Sequence, residues 1–244
     1  MTTGEAAVKF LANPGRELTR EVEGKNWHRY PIRTHFVELG ENYFELVERY
    51  VLPFYLEGDI LSISEKIITL CQKNILYRDE IKIGFLARFL SRFVMKTPKG
   101  ERPGNLYKMQ VTIDLCGWPR VLIAAALSAM GKLFGVRGIF YSFLGNNISN
   151  IDGFNDASWK YYGDKGLLGP IEPERVCNEI RDKFAIDCMI VDANNIDVEI
   201  MGQNNDIPYD QTYLKALIQD NPAGQGREQT PFILIRKAAV SSSF

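Results

Sequence analysis

The spacing of apolar residues changes several times along the chain, and each change predicts an element. Between Asn42 and Leu52, Tyr43, Phe44, Leu46, Val47, Tyr50 and Val51 recur at three and four, an amphipathic helix that ends before Pro53. The isoleucine-rich DILSISEKIITLCQ (59–72) alternates in part and reads as one long strand or two consecutive ones, interrupted at Ser64, Glu65 and Lys66. Helical spacing returns from Ile81 to Met95, with Phe85, Leu86, Phe89, Leu90, Phe93 and Val94 on one face and Arg88, Arg92 and Lys96 on another, until Thr97-Pro98. Leu106 to Leu115 is compatible with a helix. Pro119 opens an apolar segment reaching Met130, expected as a core helix whose alanines allow close packing.

GIFYSFLG (138–145) reads as a buried strand, and residues 146–169 as a long loop of the kind that often carries function. EPERVCNEIRDKF (172–184) has the proline and early acidic residues of a helix start. CMIVD (188–192) is a buried strand, followed after ANN by a second strand, IDVEIMG (196–202). A helix from Tyr209 to Asp220, the loop NPAGQGREQTP (221–231) and a last strand, FILIR (232–236), complete the chain. Residues 1–29 are expected as a polar arm, 30–236 as one domain or two interlocked lobes, and 237–244 as a tail.

Composition narrows the class. With 29 Lys and Arg against 30 Asp and Glu, no global charge recruits nucleic acid or an anionic membrane. Four scattered cysteines and two histidines argue against a Cys/His zinc site and predict a reduced, cytoplasmic protein; neither a signal peptide nor a membrane span is expected. The charge is segregated, however. Residues 82–108 carry seven basic side chains against Glu101, and residues 150–210 carry thirteen acidic against five basic. Such blocks suit cations bridging a phosphorylated ligand to carboxylates, and equally suit solvated helix faces.

Asp192 closes an apolar run, where a strand's C-terminal edge presents ligand groups in α/β proteins, and DANN (192–195) offers oxygen donors for magnesium or manganese. The same residues also serve a hairpin turn. Asp152 and Asp156 lie in the long loop, where Asp-Gly is also an ordinary turn pair. Lys66 is either a phosphate partner or an exposed strand position. Gly224, Gln225, Gly226, Gln229 and Thr230 precede the last strand, where backbone amides can approach an anion. P-loop, Rossmann and nucleophile-elbow motifs are absent.

EGDILSISEKIITL (57–70), IDG (151–153), LLGPIEPERVCNEIRDKF (167–184) and IVDANNIDVEIMG (190–202) resemble the coenzyme F-420-0:gamma-glutamyl ligase family, most closely its bacterial ligase-like branch, from about Tyr30 to Arg236. The resemblance implies an α/β fold with mixed sheets, an intertwined homodimer, and a GTP- or ATP-dependent, divalent-metal-dependent ligase. It would join a small-molecule carboxylate to a glutamate-like amino acid through an acyl phosphate. Asp152 and Asp192 correspond to metal-binding aspartates. Lys66 matches a lysine implied near phosphates; Ser64, Arg88 and Arg92 are further candidates for phosphate oxygens, and Asn194, Gln225, Gln229 and Thr230 for positioning ligand or metal-bound water. The family's arginine-rich SDTxGRPWR is VDANNIDVE here, and the second SK of its TSKxVSKxEG is lost in TLCQKN. These departures leave two alternatives: a binding module that has lost ligation, and a metal-dependent phosphatase.

Overall fold

A computed structural model describes residues 10–93, 103–136, 138–145, 148, 151–154, 164–193, 198–224 and 227–238. The chain forms two compact units: unit 1 comprises residues 1–72 and 170–244, and unit 2 comprises residues 73–169. Among the described residues nine strands form: β1 (Thr19–Val22), β2 (Lys25–Ile32), β3 (Ile60–Ser64), β4 (Ile75–Tyr77), β5 (Asp152–Gly153), β6 (Lys165–Leu167), β7 (Asp187–Ala193), β8 (Val198–Gln203) and β9 (Phe232–Lys237).

In unit 1 six strands make one sheet in the order β1-β2-β9-β3-β7-β8, antiparallel throughout except for the parallel neighbours β3 and β7. Unit 2 is inserted in the connection between those two parallel strands. The sheet begins at Thr19, inside the stretch expected as an arm. Glu23 and Gly24, both at positive φ, make the tight turn of the β1–β2 hairpin. Trp27, 1% exposed, anchors that hairpin, its indole donating to the Tyr213 hydroxyl at 3.0 Å.

Helices cover both faces. Alternation along β3, β7 and β9 sends Leu61, Ile63, Cys188, Ile190, Phe232 and Leu234 to one side. There they pack against helices Tyr43–Leu46, Glu65–Cys71 and Pro173–Phe184. Ile60, Met189, Val191, Ile233 and Ile235 face the other, against helix Gln211–Ile218. The helix expected after Asn42 forms with an Asx cap, the Asn42 side chain accepting from Phe44 N at 2.9 Å, and widens into a π turn over Val47–Val51. The Gln72 side chain bonds both ways to the Ile171 backbone, at 2.8 and 2.6 Å, tying together the points where the chain leaves and re-enters unit 1.

The segment 59–72 is corrected. Only Ile60–Ser64 is strand, and Glu65–Cys71 turns into helix, so Lys66 occupies an exposed first helical turn rather than a strand. Ile67, Ile68 and Leu70 reach the core from that helix as readily as a strand would have placed them.

In unit 2 a three-stranded antiparallel sheet, β4-β6-β5, stands with helices Phe85–Leu90, Pro103–Cys116, Trp118–Leu133 and Ile139–Leu144. Three expectations change here. GIFYSFLG is helix, bracketed by Gly138 and Gly145 at positive φ. The helix near Phe85 buries Ala87 and Leu90, while Phe85, Phe89 and Phe93 are exposed. Trp118–Leu133 is not a core helix: it buries only Val121, Ala124 and Gly131.

The long loop contains β5 and β6, whose glycines have definite work. Gly153 has φ of 101°, and a β-carbon there would lie 2.2 Å from the Lys165 carbonyl oxygen. A β-carbon on Gly166 would lie 2.2 Å from the fully buried Phe154 ring. No single helix among the described residues is long and apolar enough to cross a membrane.

Candidate functional site

The registers of unit 1 bring several strand ends to one edge of the sheet. Ile32 ends β2 opposite Phe232, which starts β9; Ile63 of β3 also pairs with Phe232; Ser64 pairs with Val191; and Ala193 of β7 pairs with Val198 of β8. Beyond these pairs the chain supplies Arg33 and Thr34, Glu65 and Lys66, Asp192, Glu199, and Gln229 to Pro231. Two backbone bonds close the edge: Ser64 N donates to Pro231 O at 2.9 Å, and Thr34 N to Gln229 O at 2.9 Å. This is the C-terminal end of the parallel pair β3 and β7, the only parallel neighbours among the described strands of unit 1, and the position at which α/β sheets hold ligands.

Asp192 stands directly opposite Glu199 in the β7–β8 register. In an antiparallel pair, directly opposed residues project to the same face with β-carbons about 4.5–5.5 Å apart, and two like charges there repel. Asp192 and Glu199 are each engaged in interactions within the chain. Magnesium is commonly held by one or two carboxylates, with water and phosphate oxygens completing its shell. Among the described residues no group of three or more Asp, Glu, His or Cys side chains assembles, so a cation here would rely on those non-protein oxygens. Glu199 was not singled out in the sequence; the β7–β8 register is what places it opposite Asp192.

Lys66 is exposed on the first turn of the helix that continues β3, and its neighbour Glu65 is buried. Ser64 is the N-cap of that helix, and its side chain makes no capping bond. Gln229 is half-buried, with φ of 55° and its carbonyl engaged by Thr34. Thr230 is committed to structure: its hydroxyl accepts from Asn13 Nδ2 at 2.8 Å and donates to Ala223 O at 2.9 Å. The bond to Asn13, together with that from Asn13 Nδ2 to Pro222 O at 2.8 Å, pins the N-terminal segment to the loop before β9.

Asp152, Arg88 and Arg92 belong to unit 2. Asp152 Oδ1 accepts from Gly153 N at 2.8 Å and lies 3.9 Å from Lys108 Nζ; Arg88 and Arg92 are exposed. Asn194, Gln225, Asp156, Asn195, Gly226 and the Lys96–Pro98 segment fall outside the described residues.

Unit 1 is thus an α/β unit with a mixed sheet, helices on both faces, and a polar edge bearing an opposed carboxylate pair and a lysine. No model of a known protein family matches the chain, and no curated protein matches it.

Proposed function

We propose that the chain is a nucleotide- and divalent-metal-dependent ligase that forms an amide of the γ-glutamyl type through an acyl phosphate. The motifs that resemble the coenzyme F-420-0:gamma-glutamyl ligase family support the class. The observation that carries the reading is the Asp192–Glu199 pair at the C-terminal end of the parallel strands. Bound there, magnesium or manganese would screen the phosphate oxygens of GTP or ATP against carboxylates.

In the reaction a substrate carboxylate oxygen attacks the γ-phosphorus and the nucleoside diphosphate departs. The acceptor amine then attacks the acyl carbon, loses a proton and releases phosphate. Asp192 and Glu199 would hold the metal, which would supply charge neutralisation at the phosphates, and Lys66 would offset charge on the phosphoryl oxygens.

A second reading is favoured by the sequence of the β7–β8 hairpin, which lacks the arginines of the resembled family: a module that binds nucleotide without turning it over. Thermal unfolding with GTP or ATP, each with and without magnesium or manganese, tests the site both readings share. A nucleotide at ~100 times its Kd adds about 2.7 kcal/mol, a rise of roughly 5–10 °C for a chain of this size. The rise is expected only with metal, and Asp192→Asn and Glu199→Gln should each abolish it while folding normally. A rise unaffected by either substitution removes the pair from the site. Release of phosphate that requires an amino-acid acceptor then separates ligase from binder.

A further inference from the structure

Unit 1 contains nine arginines, and seven of them are engaged. Arg20 and Arg29 bond to Asp220, Arg236 to Asp59, and Arg175 to Glu172 and Glu179, while Arg181 lies 3.4 Å from Asp187. Arg16 donates to the Asp220 carbonyl, and Arg49 lies over the Tyr50 ring. Arg33 and Arg227 are the exceptions: among the described residues neither makes a hydrogen bond, ion pair or ring contact. Both line the same open cleft, of ≈ 680 Å³.

The rest of that cleft has the opposite character. Phe10, Leu11, Pro14, Pro31, Ile32 and Phe54 give it apolar walls. Phe10 is fixed against the Tyr30 and Phe54 rings, at 4.5 and 5.3 Å between centroids. Asn13 and Thr230 also line it, but their side chains are bonded to each other and to the loop before β9. One carboxylate, Glu228, which is itself engaged within the chain, shares the wall with the two guanidinium groups.

We propose that this cleft binds a small organic carboxylate with an apolar body. The body lies against Phe10, Leu11 and Phe54, and Arg33 and Arg227 hold the carboxylate through charge-assisted hydrogen bonds. The volume is that of an ordinary small-molecule site. Asp192, Glu199 and Lys66 do not line this cleft, so the site is separate from the metal and nucleotide reading of the β7–β8 edge, and its ligand binds whether or not the chain ligates.

Calorimetric titration of the full chain with 2-naphthoate, and with uncharged 2-naphthamide as its matched control, tests the proposal. The naphthoate should bind at least ~10-fold tighter than the amide, the discrimination expected of a charge-assisted contact. Arg33→Gln and Arg227→Gln should each remove most of that difference; neither side chain holds the fold, so both variants should unfold like the wild type. Leu11→Glu, at an exposed wall position, should weaken both compounds. Equal affinity for acid and amide, binding that survives the double arginine substitution, or no binding of naphthoate at millimolar concentration would each overturn the proposal. None of these outcomes depends on nucleotide or metal, so the ligase reading stands or falls separately.

Discussion

Arg29 is 1% exposed, yet it carries a full charge into the seam between β2 and helix Gln211–Ile218. Its guanidinium donates to both Asp220 oxygens, to Leu217 O at 3.2 Å and to Glu17 O at 2.7 Å. Burial alone would push the Asp220 carboxyl up; the bonds and charge of Arg29 outweigh it and hold the group below the usual carboxylate range. A depressed folded pKa contributes stability that is fully present above the unfolded value of about 3.9 and is lost as pH falls through the folded one. The contribution should therefore be constant from pH 5 to 8 and fade below about pH 4. Asp220→Asn leaves the buried guanidinium without its counter-charge and should cost about 3–5 kcal/mol at pH 7. Urea unfolding as a function of pH checks both: the acid limb of the stability curve should be shallower in the variant than in the wild type.

Gly202 shows what a single position decides for two packed elements. The β7–β8 register shifts between Ile190 and Val191, and Gly202 follows the shift, facing Ile190. A β-carbon there would lie 2.5 Å from Glu174 N and 2.6 Å from Pro173 C, so the strand touches the first turn of helix Pro173–Phe184 backbone to backbone. Neither neighbour can swing aside as a side-chain tip can. Gly202→Ala should therefore destabilise by about 1–3 kcal/mol, read as a fall in Tm of roughly 2–4 °C per kcal/mol. The helix itself was legible in the sequence, as were CMIVD and IDVEIMG, because length and period agreed with burial: β8 alternates buried and half-buried along its whole length.

Where apolar runs were short, period could not choose between helix and strand. The IITL run (67–70) and the IFYSFL run (139–144) are helical because of what flanks them: the break at Ser64 in one case, positive-φ glycines in the other. Asp192 could be found as the end of a buried strand. Glu199 could not be weighed without its register, and Thr230 lost its role only when Asn13, from a segment read as a loose arm, proved to be bonded to it.

Helices Trp118–Leu133 and Ile139–Leu144 pack tightly together, with space at Gly131 only for hydrogen beside Ile139. They nevertheless leave Trp118, Leu122, Ile123, Leu127, Met130, Leu133, Phe134, Tyr141 and Phe143 exposed. Single exposed apolar side chains are ordinary on a monomer, but nine on two adjacent helices are the pattern of an interaction surface. The first helix carries only Arg120 and Lys132, near its ends, around an alanine-rich centre. A helix lying in a membrane surface needs a strongly charged outer face, which this one lacks, whereas the core of a protein interface is depleted in charge. The occupant predicted for this face is a second copy of the chain. Light scattering should therefore give about twice the chain mass of 27.8 kDa. Leu127→Glu with Met130→Glu should give the single-chain mass with an unchanged circular dichroism spectrum. A wild-type protein that is monomeric at micromolar concentration, or that sediments with anionic vesicles instead, would assign the face to another partner.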